Sequence, residues 1–207
     1  INPVNPQILY AAADDGIWKS IDSGVNWTKI LTGYFFDIEL NVTNPSIIYA
    51  ADVHDIYLST NDGATWNSAI NFNFQITRTK ICVTLADPQI VYALVASNIS
   101  DELYKSTNGG NSFFFVSNAD TGYDYYGTAL AVSPTNPNEL YTHGLDVSKS
   151  NNGGVSWTIM TNWQTIGVPG YVHCDGQFLT YLPGNANVIF SCNDGGIYQS
   201  LNGGYSW

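Results

Sequence analysis

Short apolar runs separated by clusters of Gly, Asn, Asp and Pro recur along the whole chain. Ile8-Leu9-Tyr10, Ile47-Ile48-Tyr49, Ile90-Val91-Tyr92, Leu140-Tyr141 and Val188-Ile189-Phe190 each follow such a cluster. Runs rich in β-branched and aromatic residues and bounded by turn formers predict strands. No segment carries the 3.6-residue apolar period of an amphipathic helix. The chain reads as all-β.

The strands are organised by one eight-residue pattern, S-x-(D/N)-x-G-x-x-(W/F), present in five copies. They start at Ser20, Ser59, Ser106, Ser150 and Ser200, spaced 39, 47, 44 and 50 residues apart. Before each copy an Asn-Pro or Asp-Pro turn opens into an Ile-Tyr-like strand: Asn5-Pro6, Asn44-Pro45, Asp87-Pro88 and Asn136-Pro137. The fifth, Asn185-Ala186, has no proline. A strand-rich unit repeating every 40–50 residues or so predicts propeller blades. Each unit reads as a four-stranded antiparallel meander. Strand a covers Ile38 to Val42, Lys80 to Leu85, Thr128 to Val132 and Gln177 to Leu182. Strand b carries the Ile-Tyr run, strand c ends at the pattern's serine, and strand d starts at its aromatic. Counted this way, the sequence begins at strand b of a first blade and stops at the first residue of strand d of a fifth. This predicts a single propeller segment over residues 1–207, incomplete at both ends and belonging to a larger ring.

The pattern is that of the Asp-box repeat, and the chain resembles the Asp-box β-propellers, a family including sialidases, xyloglucanases, sortilin-type receptors and large secreted bacterial surface proteins. The resemblance implies a structural role for the boxes, and the residues agree. The third position is Asp22, Asn61, Asn108, Asn152 and Asn202, so four of five copies have no carboxylate. An Asx oxygen accepts turn amides with or without charge. The glycines Gly24, Gly63, Gly110, Gly154 and Gly204 permit positive φ. The closing aromatics Trp27, Trp66, Phe113, Trp157 and Trp207 are expected to pack between neighbouring sheets.

Charge narrows the partners. Seventeen acids against six basic residues give a net charge of −11. That balance argues against nucleic acid and against an anionic membrane surface. No apolar stretch is long enough to span a bilayer. The composition, poor in lysine and rich in Asn, Ser, Thr, Gly and Tyr, suits a secreted or cell-surface protein. Cys82, Cys174 and Cys192 have no metal-type spacing. An ideal register sets Cys192 opposite about residue 178 rather than Cys174, so a bridge between them needs a bulge. No cofactor is expected, though a structural divalent cation such as calcium is compatible with the acidic loops.

A meander puts its a–b turns and boxes on one face and its b–c and d–a connections on the other. The second face holds the loops of variable length and twelve of the 17 acids, with His54, His143 and His173. Long loops on a rigid scaffold are where binding tends to sit. The candidate ligand-binding residues are the off-repeat aromatics Trp163, Tyr123, Tyr125 and Tyr126 with Asp120, Asp124, His173 and Asp175. Aromatic platforms beside carboxylates suit a polyhydroxyl ligand. The alternative is solvated acidic loops over buried tyrosines.

Two further resemblances concern chemistry. Tyr171-Val172-His173-Cys174-Asp175, followed by Asn193-Asp194-Gly195-Gly196, resembles a blade of large secreted Bacteroidetes-type surface proteins, with Gly176-Gln177 where a second histidine is frequent. Asp194-Gly195-Gly196-Ile197-Tyr198 resembles a stretch bearing a catalytic acid in xyloglucanases. Asp14 precedes a less similar stretch, Asp15-Gly16-Ile17-Trp18. Glycoside hydrolysis needs two carboxyl groups across the bond, and the resemblance places the second on another propeller. Arg78 is the one arginine, too few for a sialidase-like carboxylate site. The reading is a non-catalytic extracellular module for carbohydrate or protein binding or structural display. The alternative is part of a xyloglucanase-like glycoside hydrolase.

Overall fold

A computed structural model describes residues 1–98, 100–119 and 128–207. It contains eighteen strands in five antiparallel sheets and, among the described residues, no helix. The first sheet holds β1 (Leu9–Ala13), β2 (Gly16–Ser20) and β3 (Thr28–Thr32). The second holds β4 (Phe35–Leu40), β5 (Ile48–Asp52), β6 (Asp55–Ser59) and β7 (Asn67–Asn71). The third holds β8 (Arg78–Val83), β9 (Val91–Ala96), β10 (Asp101–Ser106) and β11 (Phe114–Asn118). The fourth holds β12 (Ala129–Val132), β13 (Leu140–His143), β14 (Val147–Ser150) and β15 (Thr158–Ile159). The fifth holds β16 (Phe178–Leu182), β17 (Asn185–Asn193) and β18 (Gly196–Ser200). Strand order within every sheet is sequence order, so each is the meander that the repeat predicts.

The sheets stack in sequence through their first strands: β1 meets β4, β4 meets β8, β8 meets β12 and β12 meets β16. Of these, β4, β8, β12 and β16 line a cavity of about 260 Å³ that reaches from Glu39 and Lys80 to Leu130 and Tyr181. Apolar clusters fill the spaces between consecutive sheets, one of them uniting Tyr49, Ala51 and Ile56 with Ile81, Val91 and Ala93. This is a β-propeller arrangement.

The eight-residue motif forms the same hydrogen-bonded turn five times. The serine hydroxyl accepts the glycine amide at 2.8–3.0 Å. It donates to the Asx oxygen, which accepts the amide of the seventh residue. The remaining Asx atom explains the choice between Asp and Asn. Asp22 Oδ2 accepts from the Asn26 amide at 2.7 Å. Asn61, Asn108, Asn152 and Asn202 instead donate to Thr65, Ser112, Ser156 and Ser206. Acceptor faces donor in every copy, so no box carries an unmet carboxylate. The turn is also tied to the a–b turn of its own sheet, as in Gly109 N to Gln89 O and Gly153 N to Asn138 O.

Some expectations are corrected. Strand d starts one residue after the motif aromatic, because the indole N–H of Trp27, Trp66 and Trp207 bonds back to the motif glycine carbonyl and keeps that residue in the turn. Trp66, Phe113, Trp157 and Trp207 pack between sheets, whereas Trp27 is 39% exposed. The fifth repeat, with Ala186 in place of proline, keeps an amide N–H there, and β17 starts at Asn185. Phe178 is the residue opposite Cys192, and the three cysteines form no disulfide with one another.

Candidate functional site

The b–c and d–a connections of the fourth and fifth sheets build the most elaborate surface in the described chain. β15 is two residues long, and the chain then makes a long excursion before β16. Asp146, in the b–c turn of the fourth sheet, organises its start. Its Oδ1 accepts both the Thr161 hydroxyl and the Trp163 amide at 2.9 Å. Thr161 in turn accepts the Val147 amide. The Asn162 amide bonds to the Gly170 carbonyl, which closes the neck of the loop and brings Trp163 and Tyr171 to its two sides. The Tyr171 ring meets Tyr198 edge-on at 6.0 Å. Trp163, Tyr171 and Tyr198 are all half-buried, with the exposed Ile166 and Val168 at the loop tip.

The segment His173–Gly176 follows. His173 Nδ1 lies 3.1 Å from the Cys174 carbonyl, and the Cys174 thiol donates to Asp175 Oδ2 at 3.2 Å. Asp175 adopts φ +62°, a region that non-glycine residues seldom occupy and that clusters at functional sites. Asp194 is exposed in the b–c turn of the fifth sheet. Asp14 is exposed in the corresponding turn of the first, at the other end of the row of sheets. The hydrolytic pair considered from sequence is therefore spread over the two end sheets. Asp120, Tyr123, Asp124, Tyr125 and Tyr126 lie outside the described residues.

Two groups counted with the loop face from sequence are buried rather than presented on it. Asp37 is buried within β4, where it accepts the Ile81 amide at 2.8 Å and Lys80 Nζ at 3.2 Å, joining the second and third sheets. His143 is fully buried at the end of β13. The exposed His54 remains at a loop, its Nδ1 3.3 Å from the Phe74 carbonyl.

Sequence reasoning missed a buried carboxyl group with strongly perturbed acidity. Glu39 lines the cavity between the inner strands, where burial and the Asp37 charge push its pKa up to about 8 while Lys80 opposes them. Its signal was the alternation Phe36-Asp37-Ile38-Glu39-Leu40, which sends both acids to one side of a strand and hence toward the third sheet. Among the described residues no group of three His, Cys, Asp or Glu side chains is arranged to hold a metal ion. No helix of the described chain is long and apolar enough to cross a membrane.

The loop face combines rings set on edge with carboxylates and backbone acceptors. Aromatic faces stack on the C–H faces of sugars, and carboxylates accept hydroxyl hydrogen bonds, so this arrangement suits a hydroxyl-rich ligand.

Comparison with solved structures settles the architecture. The GH74 xyloglucanase from Xanthomonas campestris superposes over 99% of this chain and 36% of its own, with a TM-score of 0.71 and 16% identity. An ancestral GH74 enzyme covers 97% of this chain and 30% of its own, with a TM-score of 0.69 and 18% identity. The fold is a β-propeller. A structure of the nidogen/laminin complex matches 91% of this chain, with a TM-score of 0.65 and 12% identity. A curated relative, a probable oligoxyloglucan-reducing end-specific xyloglucanase of Neosartorya fischeri, is 31% identical over half of this chain. The chain spans 15% of that relative's length and about a third of the two enzymes'. No protein-family model matches the sequence.

Proposed function

We propose that this propeller is an Asp-box module of a secreted or cell-surface protein, and that it binds polysaccharide without cleaving it. The observation that carries the reading is the loop neck of the fourth blade. Asp146 fixes the Trp163 backbone, Asn162 and Gly170 close the neck, and Tyr171 meets Tyr198 on the next blade. Rings held this way lose little entropy on binding a sugar. The relatives with xyloglucanase in their names support a plant-type β-glucan as the ligand class. Further blades or domains of the parent protein are its expected neighbours, and a structural calcium ion is compatible with the acidic loops.

A second reading, part of a xyloglucanase-like hydrolase, is favoured by the curated relative's identity and by Asp194. It is weakened by the placement of Asp14, the partner considered from sequence, on the first sheet while Asp194 stands on the fifth. A glycan array on the full-length protein, paired with a reducing-sugar assay, separates the two. Binding of xyloglucan fragments without release of reducing ends supports the module. Release that stops in Asp194→Asn supports the hydrolase.

A further inference from the structure

His143 occupies a place where the equivalent residues of the other blades are not ionic at neutral pH. Two residues after the strand-b tyrosine stand Ala12, Ala51 and Leu94 in the first three blades, and Cys192 follows Phe190 in the fifth. A buried imidazole among them is unfavourable unless it is held neutral and bonded. Nδ1 of His143 lies 2.7 Å from Ser191 Oγ on the neighbouring blade, and Nε2 has no hydrogen-bond partner. Burial pushes its pKa down to about 4, against the His173 backbone and the Asp175 charge, which favour the cation.

The segment carrying His173 and Asp175 is seated on this ring. A Cβ at Gly176 would stand 2.3 Å from His143 Cγ, so only glycine fits there. The Gly176 amide donates to the Gly144 carbonyl at 3.1 Å, and the Gln177 amide to the Cys192 carbonyl at 2.9 Å. On the other side a Cβ at Gly195 would stand 2.5 Å from His173 Cβ. Asp175 is held in its left-handed conformation between these contacts. The other non-glycine residues with positive φ, Ser23 and Asp62, fill a box position that is glycine in the other three copies. Asp175 has no such explanation from the repeat.

We propose that His143 is the positioning residue of the loop face: its neutral ring is the floor that sets His173, Asp175 and Gly176 in place, and protonation of that ring releases them. The groups that face the ring are few. Asp175 and His173 lie above it, while β12, β14 and β17 present Ala129, Val147 and Ser191, none of them charged. An imidazolium can give one N–H to Ser191, but its second is held in the closed interface beneath His173 and Asp175, where Nε2 has no hydrogen-bond partner. The strain in Asp175 is then relieved by lifting the segment toward solvent. The consequence for ligand rests on the binding function proposed above, namely that glycan affinity conferred by this face falls in acid. The conformational step stands without it.

The test is amide hydrogen exchange of the full-length protein at pH 7 and pH 4.5, corrected for intrinsic rates. Gly176 and Gln177 are expected to open at least about tenfold more in acid, while the box amide of Gly154 stays protected. His143→Asn, which keeps a polar group near Ser191 and cannot ionise, is expected to abolish the acid response. The second measurement is the NMR titration of the wild-type imidazoles, whose His143 midpoint should coincide with the opening of Gly176. Opening that survives in His143→Asn, that follows His173 instead, or that includes Gly154 at the same pH would overturn the proposal. None of these readouts needs a ligand, so failure of the binding function is distinguishable from failure of the positioning role.

Discussion

The phenolic oxygen of Tyr49 lies 3.1 Å from the carbonyl oxygen of Gly109, a residue of the next blade's box turn. The same reach recurs along the stack. Tyr10 donates to Asp62, Tyr92 to the Pro137 carbonyl at 2.9 Å, and Tyr141 to the Gly203 carbonyl at 2.6 Å. Lys19, Lys105 and Lys149 lie over the rings of Tyr10, Tyr92 and Tyr141 at 5.2–5.5 Å. Every box is thus fastened to its own a–b turn by a backbone bond, and the second, third and fifth boxes also to the previous blade by a tyrosine, while Tyr92 grips the a–b turn of the fourth blade.

Tyr141→Phe should therefore destabilise the protein by about 1–2 kcal/mol, because it leaves the Gly203 carbonyl without its buried donor. Phe190→Tyr should be near neutral, since Phe190 is the one copy without this hydroxyl. Urea unfolding of the two variants checks the contrast. Equal midpoints would remove the latch from the account of blade packing.

The box turns should tolerate chemistry and reject shape. Asn152→Asp is expected within about 0.5 kcal/mol of wild type, because the Ser156 hydroxyl can donate where it now accepts. Gly154 has φ +88°, and a Cβ there would stand 2.0 Å from Leu103 Cδ2. Gly154→Val should destabilise by about 2–4 kcal/mol through backbone strain and overpacking. Thermal unfolding shifts of similar size in both variants would contradict the hydrogen-bonded scheme.

Much of this was legible in the sequence because a repeat reports each position five times. The strand order, the box turns and the opposition of Phe178 to Cys192 all follow from period and register. The latches were partly legible: Lys19, Lys105 and Lys149 each directly precede a box serine, half of all the basic residues. What stayed hidden lies between blades or off the repeat. Periodicity assigns Asp37, Glu39 and His143 to a blade but does not say what the neighbouring sheet offers them. Burial by that neighbour, rather than the local sequence, decides their acidity. The loop neck made by Asp146, Asn162 and Gly170 was equally invisible, since no other copy contains it.

Stability should fall with rising pH where Glu39 titrates. Its folded pKa of about 8 lies above the ordinary value of 4.5, so between these limits the folded state holds the proton more strongly than the unfolded chain. That contribution is full below the ordinary value and is lost as pH rises through the folded one. Glu39→Gln should raise the melting temperature by a few degrees at pH 8 and leave it little changed at pH 5. A melting profile above pH 6.5 with the same slope in both proteins would place Glu39 in water instead.

Glycan binding should depend on the loop neck. Trp163→Ala and Tyr171→Ala are each expected to weaken binding of a xyloglucan oligosaccharide by about 1–2 kcal/mol, roughly 5–30-fold, with unchanged melting temperature. Calorimetric titration of both variants measures this. Full affinity in a double mutant that remains folded would move the binding surface elsewhere. A large loss of stability would assign these rings to the core.

Catalysis is the sharpest point of division. A single carboxyl group supplies half of the proton transfers that glycoside cleavage needs, and the two acids must stand within about 5–10 Å of each other. Asp194 and Asp14 sit on the fifth and first sheets of the row, with three blades between them. The decisive measurement is the appearance of new reducing ends when the protein is incubated with xyloglucan, run beside Asp194→Asn. Neither protein is expected to release any, while wild type still retains the polysaccharide. Steady release by wild type, lost in Asp194→Asn, would show that this propeller cleaves what it binds.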